Sequence, residues 1–132
     1  DMMKSDATLH KARIEYKDAP VYMPPYEYYS KEISAWAKNM GIQVINYTPG
    51  TMSNADYTTP DMGQKYRSSK FIYDKIMEVE KKEGLNGHLM LIHFGTDDRR
   101  TDKFYNGYLD KMIKTLKRKG YTFVPVREAV GI

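Results

Sequence analysis

Residues 89–97 read Leu-Met-Leu-Ile-His-Phe-Gly-Thr-Asp, an apolar run that delivers His93 and then breaks at Gly95 into a charged loop. A buried strand of about four to eight apolar residues that ends at Gly or Asp belongs to α/β sheets and barrels, where the carboxyl ends of strands carry the chemistry. An imidazole at such a place can give or take a proton near neutral pH. A lone histidine at a strand end is more often a hydrogen-bonded structural residue, so the reading depends on its company. That company is aromatic and acidic. Tyr26, Tyr28 and Tyr29 follow a Pro24-Pro25 turn, and Asp56 and Tyr57 sit in a long loop, with Asp61 a few residues on. Flat aromatic faces with convergent hydrogen-bonding groups suit sugar rings, although twelve tyrosines could also pack at half-buried positions.

The elements that would position these residues follow a regular punctuation. Val21, Tyr22 and Met23 predict a short strand that ends at Pro24-Pro25, where the missing N–H and the fixed φ force the chain out of a sheet. Ser30 caps a helix with Ile33, Trp36, Ala37 and Met40 on its apolar face and Gly41 at its end. Ile42–Tyr47 alternates and β-branches as a strand does, and the polar loop after it is long enough to be functional or disordered. Ser68 or Ser69 caps a second helix with Ile72, Ile76 and Val79 inward. Gly84 and Asn86-Gly87 then turn the chain into the His93 strand. A third helix from Asp102 to Lys119 leads to a last strand, Tyr121–Val126. Alternation of this kind is the grammar of parallel βαβ units. Right-handed crossovers would bring the Pro24–Tyr26 turn, the loop after Tyr47 and the loop after His93 to one rim.

Composition narrows the function classes. The 132 residues suffice for one domain, but a complete α/β barrel takes about 200 or more. No cysteine is present, which excludes disulfides and thiolate metal sites. No apolar stretch approaches the roughly 18 residues of a membrane span, and the start Asp1-Met2-Met3-Lys4-Ser5-Asp6 does not read as a signal peptide. The net charge of +4 invites nucleic acid as a partner. Against it, Leu109, Met112, Ile113 and Leu116 form a buried stripe, so Lys111, Lys114, Lys117, Arg118 and Lys119 are the solvated face and last turn of a helix. No nucleic-acid partner is expected.

Met23-Pro24-Pro25-Tyr26 resembles the Arg-Pro-Pro-Tyr turn of polysaccharide deacetylases, the NodB-homology domains of carbohydrate esterase family 4, and Leu91-Ile92-His93 resembles their Leu-x-His motif. The phrases at 47–57 and 92–105 resemble a branch found in Bacteroidetes, and the likeness runs over residues 20–127 in the family's order. The resemblance implies an α/β fold, the C-terminal portion of a distorted (β/α) barrel with mainly parallel strands and three helices. Residues 1–132 would be a single partial domain, with residues 1–19 as a leader that ends an upstream helix. It also implies a hydrolase that removes N- or O-acetyl groups from a glycan with the help of a divalent metal, zinc by expectation. In that family the histidine matching His93 is the general acid, and the backbone N–H of the residue matching Tyr26 helps to hold the oxyanion. The leucine matching Leu91 lines the acetyl pocket, beside Pro25. Asp56 and Tyr57 are the nearest match to the segment whose aspartate tunes the histidine, with Asp61 as the competing aspartate. Members of the family are commonly secreted or periplasmic.

The departures define the alternatives. The family's Asp-Asp pair and His-x-x-x-His have no counterpart in this chain, and His10 and His88 read as structural or solvent histidines, so no metal is expected on this chain alone. Met23 replaces the arginine that orients the catalytic base. One reading is the C-terminal part of a deacetylase whose catalysis needs the missing N-terminal half of its own domain as partner. A second is a non-catalytic carbohydrate-binding domain of the same lineage. A third is an interaction domain whose Tyr, Trp and Met side chains face a partner.

Overall fold

The computed structural model describes residues 2–15, 18 and 20–132. Of the leader, residues 1, 16, 17 and 19 lie outside the described residues, and Met2–Lys11 forms a helix, α1. The chain is a mixed helix-and-sheet protein with one two-stranded parallel sheet among the described residues, and it divides into two compact units. The first unit comprises residues 1–46 and 124–132, the second residues 47–123.

The first unit is built on a βαβ element. Strand β1 (Val21–Tyr22) pairs in parallel with β2 (Gln43–Val44), Val21 opposite Gln43 and Tyr22 opposite Val44. Between them runs helix α2 (Lys31–Asn39), started by Ser30, whose Oγ accepts the Ile33 N–H. This serine cap satisfies one of the N–H groups that a helix start leaves over. Gly41 follows at φ 72, a left-handed value that a residue with a Cβ adopts at a cost. The expected strands over 21–23 and 42–47 are thus shorter than their apolar patterns, because only two residues of each find a ladder partner. The apolar face of α2 is also narrower than expected. Ala37 is fully buried, whereas Trp36 is 59% exposed. A stripe wider than the layer beneath it cannot all be covered, and a two-stranded sheet is a narrow layer. The chain end Tyr121–Val126 was expected as a strand. Phe123 and Val124 instead lie exposed without a ladder, and Val126–Ala129 forms a short helix, α6, behind Pro125. Proline's fixed φ suits a helix entrance and its missing N–H is a poor fit to a sheet.

The second unit holds its core between helices. Helix α3 (Ser69–Glu83) is capped by Ser68 Oγ on the Phe71 N–H and buries Ile72, Ile76 and Val79. The expected helix over 102–119 is two pieces, α4 (Phe104–Gly107) and α5 (Leu109–Arg118), joined at Tyr108 with φ −123. Gly107 weakens helix propensity at the joint, and Asp102 is held outside the helix by bonds to Ser69. Phe104, Met112 and Leu116 meet the α3 stripe and Leu85 in one cluster. The lysines of α5 face outward as expected, with Lys114 paired to Asp110 and Lys111 4.6 Å from the centre of the Tyr73 ring. Residues 89–93, expected as a buried strand, run half-buried without a ladder. They are tied to the neighbouring chain by Thr48 N–H to the Leu89 carbonyl at 2.8 Å and by Leu89 N–H to Thr48 Oγ1 at 3.0 Å. An apolar run becomes a strand only where a second backbone lies alongside it.

Candidate functional site

The long loop after Tyr47 buries its polar residues. Thr51, Ser53, Asp56, Thr58 and Thr59 are all buried, and so are Ser69 and Arg100. Buried polar groups need partners, and their pairing shows what the loop holds in place. A 3₁₀ turn over Ser53–Tyr57 is entered through Met52 at φ 57. It is closed by Thr58, whose N–H and Oγ1 both reach the Ala55 carbonyl, at 3.0 and 2.7 Å. The turn aims Asp56 at the backbone and ring of His93.

The Asp56 carboxylate, 1% exposed, takes both hydrogen-bonding groups that His93 presents to it. Oδ2 accepts the His93 backbone N–H at 2.7 Å, and Oδ1 lies 2.6 Å from the ring Nδ1. With a carboxylate on Nδ1, the neutral ring carries its proton there and its lone pair on Nε2. The His93 side chain is 35% exposed, so one nitrogen is fixed inside while the ring still reaches solvent. The Tyr57 ring stands edge-on to the imidazole with centroids 5.7 Å apart. Phe94, 79% exposed, is edge-on to Tyr105 at 4.7 Å. An imidazole held through one nitrogen in this way can exchange a proton through the other.

Of the residues singled out from sequence, the second unit brings Asp56, Tyr57 and His93 together, and Leu91 lies half-buried two residues before the histidine. Asp61, the competing aspartate, is on the surface, paired with Arg99 at 2.8 Å. Pro25 and Tyr26 belong to the first unit, in a short turn over Pro25–Glu27. Tyr26 is 94% exposed and takes φ 55, an uncommon left-handed conformation for a bulky side chain. Asn46 Nδ2 donates to the Glu27 carbonyl and braces the turn. His10 pairs with Glu15 at 3.2 Å. Among the described residues no group of three or more His, Cys, Asp or Glu side chains is placed to hold a metal ion. These residues therefore do not fit the metal that the family resemblance implies.

The sequence did not single out the groups that fix the loop. Arg99 and Arg100 read alike as members of a charged loop. Arg100 is fully buried, and Tyr66, Ser69 and Asp102 gather around it. Burial and the hydrogen bond from its hydroxyl to Asp102 raise the Tyr66 phenol above its ordinary pKa. On the surface, the Arg99 side chain holds the Asp97 carboxyl down at about 2. Spacing carries no signal for Arg100, because the Thr58 and Ser69 that accept its hydrogen bonds lie 42 and 31 residues away.

The chain matches no protein-family model, no curated protein and no solved structure. Among the described residues no helix is long and apolar enough to cross a membrane.

Proposed function

We propose that this chain is the C-terminal part of a polysaccharide deacetylase domain, a portion of a distorted (β/α) barrel that removes N- or O-acetyl groups from a glycan. The observation that carries the reading is the buried Asp56 carboxylate holding both the backbone N–H and Nδ1 of a half-exposed His93. In its protonated form the ring donates the Nε2 proton to the amine or alkoxide that leaves as the C–N or C–O bond of the acetyl group breaks. The ring then keeps its Nδ1 proton against Asp56, whose charge steadies the imidazolium before the transfer. Water supplies the nucleophile, and its activation falls to groups outside the described residues. Tyr57 supplies an aromatic face beside the ring, and Leu91 is proposed to line the acetyl contact.

The test is acetate release from acetylated chitin oligomers, peptidoglycan fragments and xylan by the full-length protein. His93→Asn should lower kcat by about 10²–10⁴-fold, the usual size of a general-acid contribution. Full activity in that variant, or no acetate from any of the glycans, overturns the reading. A second reading is a non-catalytic glycan-binding domain. It is favoured by the exposed Tyr26, Tyr28 and Tyr29. Glycan binding that survives excess chelator, with no acetate released, selects it over the enzyme.

A further inference from the structure

The adjacent arginines of the loop after His93 have opposite environments. Arg99 lies on the surface between Asp97 and Asp61. Arg100 is 0% exposed. Its Nη1 donates to the Thr58 carbonyl at 2.6 Å and its Nη2 to Ser69 Oγ at 3.0 Å, while its Cζ stands 5.4 Å from the centre of the Tyr66 ring. The Asp102 carboxylate is 3.7 Å from Nε, beyond hydrogen-bond range, and Nε has no acceptor among the described residues. Taking a guanidinium out of water is costly, and an apolar side chain of similar volume often fills such a space with no loss of stability. A buried cation with one unsatisfied donor is therefore poorly explained by stability alone. Its geometric effect is specific.

Thr58 closes the turn that presents Asp56, and the atom that Arg100 grips is the Thr58 carbonyl. Thr58 Oγ1 meanwhile donates to Ala55 and accepts the Arg67 N–H at 3.0 Å, so both ends of this residue are occupied. Arg100 itself stands on the loop that begins at His93. One guanidinium thus ties the chain two residues after Asp56 to the chain seven residues after His93, and the Asp56–His93 bonds complete the ring. Asp102 buttresses the clamp by accepting from Tyr66 Oη at 2.8 Å and from the Ser69 N–H at 2.7 Å, and its carbonyl accepts from Ser69 Oγ. A carboxylate moved by about an ångström loses the short, linear geometry that a strong hydrogen bond needs.

We infer that Arg100 is a positioning residue for His93: by clamping the Thr58 carbonyl it keeps the Asp56 carboxylate on Nδ1, and so decides that Nε2 is the ring nitrogen offered to a ligand. The inference goes beyond the deacetylase reading and its test needs no substrate, so the two stand or fall separately. The experiment is ¹⁵N NMR of the imidazole in the full chain, at a pH where the His93 ring is neutral. The wild type should show the Nδ1–H tautomer as the dominant form. Arg100→Met, which keeps the volume and removes every donor, should raise the Nε2–H share about tenfold, the ratio produced by losing about 1.4 kcal/mol of hydrogen bonding. Arg100→Lys, with one ammonium in reach of one acceptor, should fall between the two. If the Met variant does not fold, Asp102→Asn carries the test, since it is isosteric and loosens the buttress; a smaller shift in the same direction is expected. Folded variants that keep the wild-type tautomer ratio, whatever their melting temperatures, overturn the inference.

Discussion

In the first unit the Pro25–Glu27 turn holds its aromatic side chains in solvent, with Tyr26 94% and Tyr28 72% exposed. In the second, the Thr51–Thr59 loop buries five polar side chains, of which Asp56 binds one histidine and Thr58 closes one turn. Both segments have the composition of a binding surface. The difference lies in range. A proline-fixed turn can present tyrosines with partners a few residues away, because an exposed ring needs no desolvated partner. A buried carboxylate tolerates burial only with donors aimed at it, and the donors of Asp56 come from 37 residues along the chain. Exposure therefore says little about Tyr26, whereas burial says much about Asp56.

The largest test of that contrast removes the carboxylate. Asp56→Ala leaves the His93 N–H and Nδ1 without their acceptor, and should cost about 2–3 kcal/mol in a urea titration. A loss below about 1 kcal/mol would place Asp56 with the exposed residues. Tyr66→Phe, which takes one donor from Asp102, should cost about 1 kcal/mol at neutral pH. The folded Tyr66 pKa lies above its ordinary 10.0, so its contribution is complete below that pH and is lost as the pH rises past it. Above about pH 10, wild-type stability should consequently fall more steeply than that of the Phe variant. Tyr26→Ala should shift the melting temperature by less than about 3 °C. A larger shift would show that its left-handed turn is structurally coupled.

The smallest effect separates the two arginines. Arg99→Met should leave the melting temperature at pH 7 almost unaltered, because exposed ion pairs contribute little. Asp97 has a folded pKa of about 2 against an ordinary 3.8, so its pairing contribution is present above 3.8 and is lost as the pH falls towards 2. The small difference between the Met variant and the wild type should therefore be present above pH 3.8 and vanish as the pH falls towards 2. A neutral-pH loss as large as that of Asp56→Ala would erase the distinction between surface and buried groups.

Much of the helical layer was legible in the residues. Ser30 and Ser68 cap α2 and α3, and the stripes Ile72-Ile76-Val79 and Met112-Leu116 are buried. Those signals are local, since a cap acts on an N–H three residues on and an apolar stripe repeats every three or four. The strands were overread. Residues 89–93 and 121–126 have β composition, but pairing depends on a neighbouring backbone that no local pattern supplies. The pairing of Asp56 with His93, and not of Asp61, was named as one alternative through the family resemblance, and the geometry brings the Asp56 pair together.

What the sequence determined by itself is helices α2 and α3 with their serine caps, the inward stripes of α3 and α5, and the short proline turn, because each depends on interactions within a few residues. Only the tertiary structure decided which arginine is buried, which aspartate meets His93 and which ring nitrogen is left free. Those outcomes depend on where remote acceptors come to rest once water is excluded, and a buried carboxylate or guanidinium is held by whichever partners the fold brings to it.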